Sequence, residues 1–324
     1  ISALNSKGVG AMADIVINHR CGQYQIDGKW HGYNNPDWGN WAVVQNNTGQ
    51  DGGAGNWDTG EDCAYAPDVD HTNATVSQDI KEWMAWLKNT VGFSVWRYDI
   101  TRGYAGWANE MYNDWTNPEF AVGEYWDDSP NNIVGWIDST HSDWTKRTAG
   151  FDFPLRTAVR SAVYGSYSHL KYGSTSPGVM GMWSDKAVTF LENHDTEEAR
   201  NGSYTAPFPD GNQTVQGYAY ILTHPGTPCV FWKDIYDSGS WQEWRIRELI
   251  SARKNYGISS SSTVYIAMAS DGYGYAAYIQ GDNGEIAVKI GPGSWSPSGS
   301  KWQSSDLLYS GPDYAVWGEW GKWW

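Results

Sequence analysis

Ser94-Val95-Trp96-Arg97-Tyr98-Asp99 stands between two amphipathic stretches, 76–87 and 106–115, and this helix–strand–helix succession decides the fold. Residues 94–98 have the apolar, aromatic and β-branched character of a buried strand, and the run ends in charge. The same theme recurs on both sides. Strand patterns occupy 11–17, 94–98, 120–122, 151–153, 187–191 and 228–231, with helical patterns at 76–87, 106–115, 155–164, 215–222 and 243–254. Read as six strand-then-helix units in series, they predict a parallel sheet, open or closed into a barrel. The barrel layer takes residues 1–19 and 76–257. Residues 20–75 are too long and too rich in Gly, Asn, Asp and Trp for a βα loop and read as an inserted small domain. From 258 to 324 the pattern changes to alternating runs at 264–269, 273–280 and 285–290, broken by Asp-Gly and Asn-Gly turns. That is an antiparallel β-domain.

Composition narrows the function. The 324 residues carry 37 Asp+Glu against 22 Lys+Arg, a net charge of −15, so sequence-independent binding to nucleic acid is excluded as a role. No apolar run reaches the roughly 18 residues of a membrane span. Hydrophobic residues at 40% and 22 Trp argue for a real core, and flat Trp faces suit sugar rings. The cysteines make no C-x-x-C pair; Cys21 and Cys63 bracket the polar insert, where one bridge is open in an oxidising compartment, and Cys229 reads as a small core residue. Residues 1–7 read as the last turns of a helix closed by Gly8, so the sequence opens as a piece of a longer chain.

Polar groups gather where strands end. The first strand runs into Asn18-His19-Arg20, the second into Asp99, the third into Gly123-Glu124 and the fifth into Glu192-Asn193-His194-Asp195. In a (β/α)8 barrel the C-terminal ends of strands deliver residues into one pocket, so Asp99, Glu124, Asp195, His19 and His194 are expected to converge. Asp14-Ile15-Val16-Ile17-Asn18-His19, Trp96-Arg97-Tyr98-Asp99, Val122-Gly123-Glu124 and Phe190-Leu191-Glu192-Asn193-His194-Asp195 resemble, in order, the four signature segments of the α-amylase family. The resemblance covers essentially the whole chain. It extends to plant, archaeal-type and related bacterial members through Arg102-Gly103-Tyr104 and the stretch 220–228. Glu192 departs from the family pattern, which has Asp or a similar residue there.

What the resemblance implies is a (β/α)8 TIM barrel lacking its first two βα units, and weak or no starch hydrolysis by the chain alone. Retaining hydrolysis needs a nucleophilic carboxylate and a second carboxyl that is acid, then base. Asp99 fits the nucleophile, since Arg97 projects to the same side and favours its charged form. Glu124 fits the acid/base, following an apolar strand. By resemblance, Asp195 bonds sugar hydroxyls and helps distort the ring, His19 and His194 grip hydroxyls, Arg97 and Arg102 belong to the substrate side, and Trp126 is a stacking platform.

Asp58, Glu61, Asp62 and Asp68 supply hard oxygen ligands in a Gly-rich stretch, the type Ca²⁺ prefers. By resemblance, Asn18, Asp68 and the carbonyl of Gly103 share one Ca²⁺, and Asp58, Asp62 and the carbonyl of Ala66 hold a further one. For the second group ordinary Asx-turns are the alternative. The implied protein is a secreted, monomeric hydrolase of α-glucans, with no nucleic-acid or membrane partner. Rival readings are a non-catalytic starch-binding protein on the same fold, a maltooligosaccharide-forming exo-amylase, and a transglycosylase. Trp317, Trp320, Trp323 and Trp324 serve either sugar binding or packing of the terminal domain.

Overall fold

In a computed structural model that describes residues 1–47, 52–197, 207–209 and 211–320, the apolar runs 11–17 and 94–98 become neighbouring parallel strands. Two compact units make up the chain: Ile1–Trp126 with Asn132–Phe151, and Asp127–Asn131 with Asp152–Trp324.

The first unit opens with a single helical turn, α1 (Ser2–Asn5), and Gly8 follows in the left-handed region at φ +70°. Strand β1 (Met12–Ile15) comes next, then a small antiparallel hairpin, β2 (Tyr24–Ile26) with β3 (Lys29–His31), inside the expected insert. Helix α2 (Ala74–Trp86) starts where the Asn73 side chain accepts from the Thr75 and Val76 amides. It buries Val76, Ile80 and Met84, one residue per turn along one stripe. Strand β4 (Val95–Tyr98), helix α3 (Trp107–Thr116) and strand β5 (Phe120–Gly123) follow, with Asn117 at φ +45° ending α3. Helix α4 (Pro130–Ser139) leads to β6 (Ala149–Phe151). Strands β1, β4, β5 and β6 pair in parallel, in that order. One face packs Ala13, Ile15, Ile17, Trp96, Tyr98 and Ala121 against α2 and α3 residues such as Ile80, Met84 and Tyr112. Fully burying each large side chain of this set is worth about 1.5–3 kcal/mol.

The strand at 11–17 is not buried throughout. Ala13, Ile15 and Ile17 face the core, while Met12 and Val16 stay exposed beside Asp14. This alternation gives the sheet a second face that can carry polar groups. No helical pattern marks α4 in the sequence, because Pro130, two Asn and Gly135 mask the stripe Ile133, Trp136 and Ile137. The fourth strand lies two residues earlier than 151–153. Phe153 instead begins a helix, because the buried Asp152 accepts from the Leu155 amide at 3.0 Å and caps it.

The second unit contains α5 (Phe153–Val163), β7 (Ala187–Thr189), α6 (Asn212–Thr223), β8 (Thr227–Pro228), α7 (Trp232–Tyr236) and α8 (Ser240–Tyr256). β7 and β8 pair in parallel. A five-stranded antiparallel sheet follows: β9 (Thr263–Ser270), β10 (Gly274–Gln280), β11 (Gly284–Ile290), β12 (Leu307–Gly311) and β13 (Tyr314–Trp320), in the order β12-β13-β11-β10-β9. Of these five, only β9, β10 and β11 stand out in the sequence as alternating runs. A register shift in β12, between Leu307 and Tyr309, breaks the alternation there. Cys229 is exposed rather than a core residue, since β8 is too short to carry it inward; its amide still donates to Thr189 O at 2.7 Å. Cys21 and Cys63 are free thiols, Cys63 buried and Cys21 exposed. Trp320 stacks on Tyr256 at 4.6 Å and Trp317 meets Trp295 edge-on at 5.7 Å, so both pack; Trp323 and Trp324 lie outside the described residues. Among the described residues no helix is long and apolar enough to cross a membrane.

Two buried histidines are structural and neutral. In the second unit His224 stacks on Tyr220 at 3.9 Å and accepts from the Tyr275 hydroxyl at 2.8 Å, and burial pushes it down to about 3. In the first, His71 meets the Tyr112 hydroxyl at 2.8 Å, and burial pushes it down to about 4. Unfolding frees both to protonate near their ordinary value of about 6.5, so folding stability falls as pH drops below that value. Denaturant midpoints should therefore decline between pH 7 and pH 5, and His224→Gln should flatten that decline.

Candidate active site

Register builds the polar face of the first sheet. Asp14 in β1 pairs with Arg97 in β4, and Arg97 pairs with Val122 in β5. Two residues farther along β4 and β5, the same face carries Asp99 and Glu124. The ladder continues that far: the Asp99 amide donates to Ile15 O at 3.1 Å and the Glu124 amide to Tyr98 O at 2.9 Å. One guanidinium joins all three acids. Arg97 Nη1 lies 2.7 Å from Asp14 Oδ1 and 2.5 Å from Asp99 Oδ1, and Nη2 lies 2.9 Å from Glu124 Oε2. Burial works against the Arg97 charge, but Glu124, Asp14 and Asp99 outweigh it and raise its pKa. Glu124 is 5% exposed, and its neighbour is this cation rather than apolar side chains alone.

The chain turns sharply just past Asp99. Ile100 adopts the left-handed region at φ +41°, a conformation costing a β-branched residue about 1–3 kcal/mol. Its amide donates to Glu124 Oε2 at 3.4 Å, and the Thr101 amide donates to Glu124 O at 3.1 Å. The strain is thus held by two bonds to Glu124, one to its carboxylate and one to its backbone carbonyl. His19, half-buried at the end of β1, is pushed down by burial, with Asp99 partly offsetting that. Arg102 donates to the Trp126 carbonyl at 2.6 Å and pairs with Glu61, so it ties the half-buried Trp126 to the insert.

The proposed metal ligands also gather in this unit. Asn18 turns its amide nitrogen to Asp68 Oδ1 at 3.1 Å, which leaves the buried Asn18 Oδ1 without a hydrogen-bond partner among the described residues. A Cβ on Gly103 would fall 1.7 Å from that oxygen, so only glycine fits there. Asp58 Oδ2 is likewise buried and unsatisfied. Burial, with Asp58 and Asp62 nearby, pushes Asp68 up to about 8. Buried oxygens without donors, among carboxylates that resist ionising together, are what a hard cation would satisfy. Ala66, fully buried, lies in the same segment. Asn47, unmarked in the sequence, belongs here too: it donates to Asp62 Oδ1 at 2.6 Å, and its own Oδ1 is buried and has no partner among the described residues.

A second acidic group, Glu110, Asp114 and His141, is a poor metal site. The Asp143 amide donates to His141 Nδ1 at 2.8 Å, which places the neutral ring's proton on Nε2, facing Asp114 at 3.1 Å. Lys146 already holds the same Asp114 oxygen at 3.0 Å.

His194 and Asp195 lie in the second unit. His194 Nε2 is 3.2 Å from Asp195 Oδ2, and the Asn193 side chain accepts from the Asp195 and Thr196 amides at 2.9 Å. Beneath this turn the buried Glu192 pairs with the buried Arg156 at 2.9 Å and also accepts from the Phe208 amide at 2.5 Å and from the Thr196 hydroxyl. Nothing in the local sequence marks Arg156, because its partner is 36 residues away. Arg156→Ala would leave Glu192 buried and uncompensated, and should cost about 3–5 kcal/mol in denaturant unfolding. The double change Arg156→Met, Glu192→Leu should recover most of it.

Comparison with known proteins gives this geometry its context. Residues 255–318 match the alpha-amylase C-terminal beta-sheet domain. The chain is 42% identical over 326 residues to probable alpha-amylase 2 of Arabidopsis thaliana, covering 95% of this chain and 75% of that protein. It is 36% identical over 333 residues to the chloroplastic alpha-amylase 3 of the same plant, covering 98% of this chain but only 36% of that longer protein. The fold resembles the crystal structure of an Anoxybacillus alpha-amylase, with a TM-score of 0.70 at 14% identity over 99% of this chain and 78% of the other. At 42% identity over most of its length, this chain is a member of the α-amylase family of glycoside hydrolases.

Proposed function

We propose that the protein hydrolyses α-1,4-glucosidic bonds of starch, glycogen and maltooligosaccharides, with retention of configuration. The observation that carries this reading is the Arg97 guanidinium bound to both Asp99 and Glu124. Retaining glycosidases set their two carboxyl groups about 5–5.5 Å apart, and a shared guanidinium keeps such a pair close and oriented. Asp99 attacks the anomeric carbon while Glu124 gives its proton to the departing glycosidic oxygen. A glycosyl ester on Asp99 results; Glu124 then takes a proton from water as that water displaces the ester. Asp195 is the third carboxylate, bonding hydroxyls of the sugar under attack, helped by His19 and His194. Arg102 supports the acceptor side through Trp126. The parallel strands are those of a (β/α)8 barrel, with 20–75 as an inserted subdomain and 258–324 as the terminal β-domain.

Two ions of Ca²⁺ fit the insert: one on Asn18, Asp68 and the Gly103 carbonyl, the other on Asp58, Asp62 and the Ala66 carbonyl. Their part is structural, fixing the insert to the ends of β1 and β4. The unsatisfied Asn18 and Asp58 oxygens support this assignment.

In a chain completed with the first two βα units, Glu124→Gln should lower turnover of soluble starch by about 10²–10⁴ while starch binding persists. A completed chain that binds starch but releases no sugar would instead favour the non-catalytic reading. Chromatography of early products separates internal cleavage from exo-action and transglycosylation.

Chelation has a pH signature. Without cation, Asp68 has its folded pKa raised above the unfolded value of about 3.8, so its stabilising contribution is lost as pH rises through about 8. Cation binding needs the ionised form and strengthens with pH. Removing Ca²⁺ should therefore lower the melting temperature more at pH 9 than at pH 6; an equal loss at both would argue against Asp68 as a ligand.

A further inference from the structure

Tyr65 has no place in the scheme above, and its setting is unusual for a loop tyrosine. It is 58% exposed, yet it is fastened at several points. Its carbonyl accepts from Trp30 Nε1, in the β2–β3 hairpin, at 3.0 Å. Its hydroxyl pairs with the buried Cys63 thiol. Its ring meets His19 edge-on, with centroids 5.2 Å apart. The backbone beyond it is tied to the end of β1, with the Arg20 amide donating to Pro67 O at 2.9 Å and His19 bridging Asp68. An aromatic ring needed only for packing would be buried by so many restraints. Here they hold it in the open.

What it faces identifies the ligand. His19 and Asp99 end adjacent paired strands, and Tyr65 stands on His19. The Asp99 amide donates to Ile15 O at 3.1 Å, so the strand that leads to His19 lies directly against the one that ends in Asp99. An exposed ring with a hydroxyl, held against a histidine at the strand end beside Asp99, suits a sugar: the ring covers a C–H face and the hydroxyl exchanges hydrogen bonds with sugar hydroxyls. Because the ring is already in contact with His19, binding has less side-chain freedom to remove.

We infer that Tyr65 is a substrate-contacting residue, through which the inserted subdomain holds a glucosyl unit of the chain bound at Asp99 and Glu124. The inference rests on the glucan-hydrolase reading and adds a residue to its binding surface. The test uses the full chain carrying Glu124→Gln, so that maltoheptaose stays intact, and measures its dissociation constant by calorimetry. Adding Tyr65→Phe should weaken binding about two- to fivefold by loss of the hydroxyl, and Tyr65→Ala about tenfold or more. Melting temperatures should stay within a few degrees, and the Phe variant keeps the ring contacts should the Ala variant fold poorly. In the chain completed with the first two βα units and with Glu124 restored, Tyr65→Ala should also change the lengths of the first maltooligosaccharides released, which a purely structural role would not do. Unchanged affinity and products in both Tyr65 variants overturn the assignment while leaving the hydrolase reading intact. Failure of the Glu124→Gln chain itself to bind maltoheptaose overturns both.

Discussion

A buried guanidinium shared by three carboxylates is the constraint around which the first unit is organised. Left without Arg97, the neighbouring acids would repel one another in a poorly solvated place. With it, Asp14, Asp99 and Glu124 are bound into one cluster by contacts of 2.5–2.9 Å. The arrangement requires parallel strands in register, because only then do three consecutive strands present their acids side by side on one face. It also requires the opposite face to be apolar, and the Ile15, Trp96, Tyr98 and Ala121 packing onto α2 and α3 supplies that. Chemistry and stability thus occupy the two sides of the same few strands.

The neighbourhood of the cluster extends this division. Ile100 takes a conformation it would avoid elsewhere, and bonds to Glu124 keep it there. The insert adds a further layer, fastened to the end of β1 by the pairing of His19 with Asp68 and to the loop beyond β4 by the Glu61 amide, which donates to Arg102 O at 2.9 Å. His19 therefore lies between the sheet and the insert, touching Tyr65 on one side and sensing Asp99 on the other.

Much of this was legible in the chain itself, for definable reasons. The strands before Asp99 and Glu124 were visible because buried parallel strands are short apolar runs, and acids at their ends stand out against them. The helices α2, α3 and α5 showed their stripes. Helix α4 did not, since Pro, Gly and Asn dilute the signal and only burial of Trp136 and Ile137 reveals it. Strands β12 and β13 escaped because a register shift and a Gly- and Ser-rich approach obscure the alternation. Asp14 carries no role in the sequence beyond its signature segment, because its partnership with Arg97 depends on register across 83 residues. Asn47, Tyr65 and Arg156 were invisible for the same reason: Asp62, His19 and Glu192, which they meet, are remote from them in sequence, and no periodicity announces a contact of that kind.

Gly103 shows how little room this junction leaves. An added methyl would strike the Asn18 amide at 1.7 Å, and a methyl on Gly60 would come within 2.3 Å of the Gly103 carbonyl carbon. Bare backbone therefore sets the spacing between the insert and the loop beyond β4, with no side chain available as an adjustable shim. Sequence drift elsewhere in the 20–75 region can change the outline of the insert, but not its standoff from the sheet. Whatever is held across that gap keeps a fixed gauge as the rest diverges.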